Sequence, residues 1–166
     1  MEIKQVLYKD DYWDKLMGKI MIEYSIAKKE HLPMILELYK QLIPEENPID
    51  IITANNIWEE TEKNKIKYFI ATDGNKIVSS CYLAIIPNLT RNGRPNGFIE
   101  NVITDTQYRK KGIGKKVIEM AVEYGKQNNC YKIILQSSYK RKENYIFYEK
   151  CGFDGDSKRA FEIRFK

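Results

Sequence analysis

Apolar and polar positions along this chain change period several times, and each change marks an element. Glu23 to Ala27 alternates and predicts a short strand. From Leu32-Pro33 the period turns helical. Ile35, Leu36, Leu38, Tyr39 and Leu42 recur at helical spacing, Pro33 suits a first helical turn, and Pro44 ends the run. Asp50 to Lys63 predicts a second helix, and the polar loop Pro44 to Pro48 between the two is a candidate cover for a substrate site. Lys67 to Thr72 is strand-like, Asp73-Gly74 is a two-residue turn signal, and Lys76 to Ile86 resumes the strand. Asn88 to Gly97 holds Pro95, two glycines and two arginines and reads as a loop. Phe98 to Thr104 is a strand, and Ile113 to Gln127 an amphipathic helix carrying Ile113, Val117, Ile118, Met120, Ala121 and Tyr124. Asn128-Asn129 ends that helix, Tyr131 to Leu135 predicts a buried strand, Glu143 to Lys150 a short helix stopped by Gly152, and Ala160 to Phe165 a final strand. The order β-α-α-β-β-β-α-β-α-β defines one α/β domain whose early strands pair mainly by hairpins. Residues 1–21 mix Tyr8, Tyr12 and Trp13 with charges and read as an extension, a helix or an arm, ahead of a domain over 22–166; Met21 is an alternative start.

Composition narrows the classes. A chain of 166 residues suits one domain large enough to bury a real core. Hydrophobic residues at 43% and charged residues at 31% are ordinary for a globular protein. A net charge of +5 suits an anionic ligand, but without a concentrated patch it is too small to indicate nucleic acid. No apolar run approaches the roughly 18 residues of a membrane span, and the N-terminus lacks the apolar core of a signal peptide, so a cytoplasmic protein is expected. Cys81, Cys130 and Cys151 are odd in number, far apart and without C-x-x-C spacing. They read as reduced packing residues, not as a disulfide framework or a zinc site. His31, the sole histidine, precedes a proline at a helix start and reads as a capping or surface residue, so neither a metal nor a histidine-based triad is expected.

The chemistry begins with Arg109-Lys110-Lys111-Gly112-Ile113-Gly114, between a strand-like and a helix-like run. Glycines let the backbone approach a ligand, and the free N–H groups of a first helical turn point at an anion. Arg109, Lys110, Lys111, Lys115 and Lys116 stand here with no carboxylate between them. Cations at a helix N-terminus oppose the macrodipole, so their clustering implies a phosphate ligand. The dinucleotide pattern G-x-G-x-x-G fails at Val117, and a phosphate-binding Gly-Lys-Ser/Thr fails at Lys116.

Further along stands Asn144-Tyr145-Ile146-Phe147-Tyr148-Glu149-Lys150-Cys151-Gly152-Phe153. Together with Arg109-x-x-Gly-x-Gly behind an apolar strand, it resembles the GCN5-related N-acetyltransferase (GNAT) superfamily over roughly residues 22–166. The resemblance implies a single-domain α/β fold with a mixed central sheet, antiparallel in its N-terminal half, with a parallel pair splayed around acetyl-CoA and helices on both sides. It implies that Arg109, Lys110, Lys111, Gly112, Ile113, Gly114 and Lys115 hold the pyrophosphate of acetyl-CoA, that Val102, Ile103 and Thr104 face its pantetheine arm, and that Asn144 is a polar cofactor contact. Tyr148 is then the acid that protonates the departing thiolate. A tyrosine of ordinary pKa near 10 is matched to a nascent thiolate of comparable basicity. A backbone N–H of Val102 or Ile103 would stabilise the thioester oxygen. Glu100, two residues before Val102, is expected by strand alternation on the same face and is the general-base candidate. A plain aromatic on a helix face and a surface carboxylate are the alternatives for Tyr148 and Glu100.

Glu100-Asn101-Val102, Cys130 to Leu135, Phe147 to Phe153 and the ending Glu162-Ile163-Arg164 also resemble glucosamine-phosphate N-acetyltransferases. That resemblance implies an amino-sugar acceptor met by Glu100, Asn101 and Arg164, and dimers that complete each other's acceptor site. Asn101 stands where that group commonly has Asp, and Gln136 to Glu143 is longer. The expected acceptor is therefore glucosamine, a glucosaminide or glucosamine 6-phosphate, with the phosphate not required. Another amine, on an aminoglycoside, a polyamine or a protein, and a non-catalytic CoA-binding module are the competing readings. A nucleic-acid binder is the weakest, because the cations cluster at one helix start instead of lining a face.

Overall fold

The computed structural model describes residues 21–138 and 140–165. The extension read over residues 1–21 lies, but for Met21, outside the described residues. Among the described residues five strands form one sheet in the order β1-β2-β3-β4-β5: β1 (Ile22–Ile26), β2 (Ile66–Asp73), β3 (Lys76–Ile86), β4 (Asn96–Thr104) and β5 (Lys132–Leu135). The first three pairings are antiparallel and β4 with β5 is parallel. The mixed sheet expected from the sequence is present.

Helices α1 (Leu32–Tyr39) and α2 (Ile51–Lys63) cover one face, and α3 (Ile113–Gln127) the other. Helix α1 begins on Leu32-Pro33 and buries Leu32, Ile35 and Leu38. Asp50 caps α2 by accepting from the backbone N–H groups of Ile52 and Thr53 at 2.9 and 3.0 Å. Helix α3 buries Ile113, Val117, Ile118 and Ala121 against Phe69, Cys81, Leu83 and Ile99 of the sheet. A short helix, α4 (Lys142–Lys150), adds Phe147 and Tyr148 to the rim of that same core.

Several elements differ from expectation. The two-residue turn is Gly74-Asn75, one step later, because Asp73 pairs with Lys76 and only glycine readily takes the φ of +56° at position 74. Strand β4 starts at Asn96, inside the predicted loop, where pairing with Lys132 and Ile86 extends it. Strand β5 excludes Tyr131 and is half-exposed instead of buried, since β4 is its one neighbour in the sheet. The final strand over Ala160 to Phe165 does not form: residues 160–165 are irregular and exposed throughout. The segment pairs with neither outer edge of the sheet, and an unpaired strand has no hydrogen-bond ladder to hold it.

Two features of β4 position the site. It pairs with β5 only from Asn96 to Ile99, so from Glu100 to Thr104 its far edge is free of β5. It also bulges. Ser80 faces Ile103 and Tyr82 faces Glu100, which leaves Asn101 and Val102 opposite Cys81 alone. Asn101 takes the left-handed conformation, φ 51°, that a bulge of this kind demands.

Candidate active site

The cationic loop follows β4 directly. Asp105 leaves the strand buried at 2% exposure, and its carboxylate collects three donors. These are Lys76 Nζ at 2.7 Å, the backbone N–H of Gln107 at 2.9 Å and Gln41 Nε2 at 3.0 Å. Burial works against its charge, but those donors prevail and hold its pKa below the usual carboxylate range. Gln41, just past α1, also accepts from the backbone N–H of Thr106 at 3.2 Å, so the first helix is tied to the loop. Tyr108 donates to Asp73 Oδ2 at 2.6 Å, and its ring lies under Lys111 Nζ at 4.9 Å and Lys76 Nζ at 5.4 Å. Arg109 Nε donates to the Thr104 carbonyl at 3.0 Å, which folds the loop back on the strand end.

The two glycines divide the work. Gly112 is the N-cap of α3 at φ 78°, and no side chain caps the helix there. The first-turn N–H groups are therefore presented outward, beside Lys111 and Lys115. Gly114 is a packing position: a Cβ there would meet Thr104 Oγ1 at 2.6 Å. Thr104 Oγ1 is itself held at 2.8 Å by Ser79 Oγ, which also donates to the Ile103 carbonyl at 2.9 Å. The helix start thus rests on the free end of β4, with Ile103 buried and Val102 half-buried beside it. Lys110 precedes the helix in a left-handed conformation, φ 61°.

The bulge corrects one inference about β4. Alternation puts Glu100 and Val102 on one face; the inserted residue separates them. Val102 packs with the core beneath α3. Glu100 stands across from Tyr82, hence on the face of the aromatic row Trp58, Tyr68 and Tyr82. Glu100 is half-buried, and burial raises its pKa above the usual carboxylate range. Tyr148, on α4, packs at the rim of the core beneath α3, its ring edge-on to Phe147 at 5.1 Å and Phe153 at 6.4 Å. Burial pushes its pKa up to about 12, with contributions from Cys151, Cys81 and Glu100. Glu100 and Tyr148, which come from separate motifs, are thus brought within electrostatic reach of each other. A carboxylate that binds a proton more readily is suited to accept one, while a phenol pushed up to about 12 keeps its proton at neutral pH but is a weaker acid than the tyrosine of ordinary pKa expected from the sequence.

Other expected site residues have local partners of their own. Asn144 Nδ2 donates to Ser137 Oγ at 3.3 Å, bracing α4 against the segment after β5. Arg164 sits on the exposed tail and pairs with Glu162 at 3.0 Å. His31 Nδ1 accepts from the Lys28 backbone N–H at 2.8 Å, a capping role as read. Sequence reading passes over Ser79, Ser80, Asp105, Tyr39 and Tyr82. The hydroxyls of Tyr39 and Ser80 are buried beside the bulge with no close hydrogen-bond partner among the described residues, and burial raises the Tyr39 pKa against smaller opposing effects of the nearby Ser80 and Asn101 side chains. The available signal was Ser79-Ser80 in the middle of an otherwise apolar strand.

A sheet that opens beside an uncapped helix N-terminus is the arrangement of the acetyltransferase (GNAT) family. The chain belongs to that family, whose pattern matches residues 32–153. It is similar to glucosamine 6-phosphate N-acetyltransferase of Trypanosoma brucei brucei, 37% identical over 134 residues that cover 80% of this chain and 88% of that one. Among solved structures, a Trypanosoma brucei acetyltransferase superposes with TM-score 0.78 at 33% identity, covering 87% of this chain and 100% of the other. Glucosamine 6-phosphate N-acetyltransferase of Arabidopsis thaliana superposes with TM-score 0.74 at 26% identity, covering 86% and 98%. Among the described residues no helix is long and apolar enough to cross a membrane, and no group of His, Cys, Asp and Glu is placed to hold a metal ion.

Proposed function

We propose that the chain transfers the acetyl group of acetyl-CoA directly to the primary amine of a glucosamine-class sugar. The observation that carries this reading is the edge of β4 left free by β5 beyond Ile99, next to the uncapped start of α3, with Glu100 on that free stretch. The pyrophosphate docks on the first-turn N–H groups, with Arg109, Lys110, Lys111 and Lys115 around it. The pantetheine arm runs along the free edge of Val102, Ile103 and Thr104, and Asn144 lines the far wall of that cleft. Glu100 accepts a proton from the acceptor ammonium, the freed nitrogen bonds to the acetyl carbon, and the carbon–sulfur bond breaks. Tyr148 gives its proton to the sulfur, the second proton shed by the acetylated nitrogen restores the phenol, and a backbone N–H of Val102 or Ile103 offsets the charge on the thioester oxygen.

The acceptor class is supported by the Trypanosoma and Arabidopsis relatives, both glucosamine 6-phosphate N-acetyltransferases. Residues 22–166 form the catalytic domain and residues 1–21 an extension. Two chains pair, the tail of one lying along the free edge of the other's β5 and carrying Arg164 to the neighbouring acceptor site. The exposure of the alternating Phe161, Ile163 and Phe165, 88%, 83% and 92%, supports that pairing. Free thiols at Cys81, Cys130 and Cys151 support a cytoplasmic location.

The test is an acceptor screen with acetyl-CoA that follows release of free thiol. Glucosamine, glucosamine 6-phosphate and chitobiose-type glucosaminides are expected to be acetylated. Aminoglycosides, polyamines and lysine peptides are the comparison set. Absence of thiol release with every amino sugar overturns the reading.

A further inference from the structure

Any amine delivered to Glu100 arrives over a surface that the sheet register fixes. Tyr82 and Glu100 are directly opposed across the antiparallel β3–β4 pair, so their side chains leave the same face, with Cβ atoms about 5 Å apart. Both are half-buried, so each keeps part of its side chain at the surface. The ring of Tyr82 is not free to turn aside. Tyr68 packs against it at 5.4 Å and 56°, and Tyr68 is stacked at 5.4 Å and 22° on Trp58, which is 4% exposed. A buried anchor at one end and a carboxylate at the other leave Tyr82 as the accessible last member of an aromatic row.

We propose that Tyr82 positions the acceptor: the C–H face of the sugar ring stacks on its ring while the amine meets Glu100. This rests on the amino-sugar reading above and adds the residue that selects a cyclic acceptor. The physical basis is twofold. A pyranose presents an apolar C–H face that gains by covering an aromatic ring, and a ring already held by its neighbours loses little entropy on binding. The arriving amine is also a cation, and an ammonium near an aromatic face is favoured before Glu100 takes its proton. The bulge at Asn101 contributes by separating this face from the one that carries Val102, so acceptor and pantetheine approach the opening from different sides. A linear amine has no ring face to stack and draws less from Tyr82.

The experiment compares steady-state kinetics of the full chain with Tyr82→Leu and Tyr82→Phe, varying glucosamine and acetyl-CoA separately, with Tyr82→Met added where the leucine variant does not fold. Tyr82→Leu is expected to raise KM for the sugar about 10-fold or more, to change kcat less than about 3-fold, and to leave KM for acetyl-CoA in place. Tyr82→Phe keeps the ring and is expected to recover most of that loss. A sugar KM unchanged in Tyr82→Leu overturns the proposal and leaves the acetyltransferase reading standing. Equal rises in both KM values, with no recovery in Tyr82→Phe, assign Tyr82 to packing and also overturn it. A wild-type chain that acetylates no amino sugar overturns the acceptor reading, and this proposal with it.

Discussion

Gly114 at the start of α3 lies against the end of β4 so closely that a Cβ would come within 2.6 Å of Thr104 Oγ1. Thr104 cannot swing away cheaply, because Ser79 holds its hydroxyl at 2.8 Å. The contact sets how far the helix N-terminus stands from the free strand edge. Gly114→Ala is expected to lower stability by about 1–3 kcal/mol and to raise KM for acetyl-CoA, since helix and strand must separate to admit the methyl. Urea unfolding and acetyl-CoA titration check the two parts; a variant unchanged in both would show that the contact gives way freely.

Tyr148→Phe keeps the packing against Phe147 and Phe153 and removes only the hydroxyl. Turnover is expected to fall about 10- to 1,000-fold with acetyl-CoA binding near normal. Steady-state kinetics alongside equilibrium titration of the cofactor separates the two. Equal loss of binding and turnover would assign the tyrosine to packing.

Glu100 has a pKa raised by burial, which gives predictions of definite sign. As a base it works ionised, so kcat/KM is expected to fall as pH drops through the raised value, and Glu100→Gln should remove that acid limb. The stability effect runs the other way. The folded state binds this proton more tightly than the unfolded chain, whose glutamates titrate near about 4.3. Its favourable contribution is complete below that value and is lost as pH rises through the folded pKa. Glu100→Gln is therefore expected to raise Tm at neutral pH and to change it little near pH 4. Equal shifts at both pH values would contradict the assignment.

Asp105 has the opposite sign. Its folded pKa is depressed, so its stabilisation is present above the unfolded value of about 3.9 and is lost as pH falls through the folded one. Asp105→Asn is expected to cost about 2 kcal/mol at pH 7, because Lys76 loses its charged partner. The difference from wild type should narrow in acid. Because Asp105 joins Gln41 to the loop, the variant should also weaken acetyl-CoA binding; denaturation at several pH values and cofactor titration measure both.

Removing residues 160–166 deletes the tail that carries Phe161, Ile163, Phe165 and Arg164. A monomer in place of a dimer by sedimentation is expected, with KM for glucosamine 6-phosphate raised more than KM for glucosamine. A wild-type chain that sediments as a monomer would overturn the pairing.

Much of this molecule is readable from local pattern. Strand β3 and helix α3 have the predicted bounds, Lys76–Ile86 and Ile113–Gln127, because period and turn chemistry agree at both ends. The role of Gly112 follows from its place between strand and helix, and the structure gives it the left-handed φ that makes glycine necessary. Its place in the loop makes Gly114 look like a ligand-approach glycine, and its packing against Thr104 depends on a contact that spacing cannot show. The Ala160 to Phe165 alternation is a genuine strand pattern, but a strand needs an edge, and the edge is not part of the sequence of this segment.

By itself the sequence determined the class of element at each stretch, the cationic loop at a helix start and the pairing of two motifs that identifies the family. These are consequences of side-chain period and backbone preference within a few residues. Only the tertiary structure decided that one extra residue at Asn101 turns Glu100 away from Val102, toward Tyr82 and the aromatic row. Which face a strand residue occupies depends on the register against its neighbour, and register is settled by the packing of both sheet faces at once.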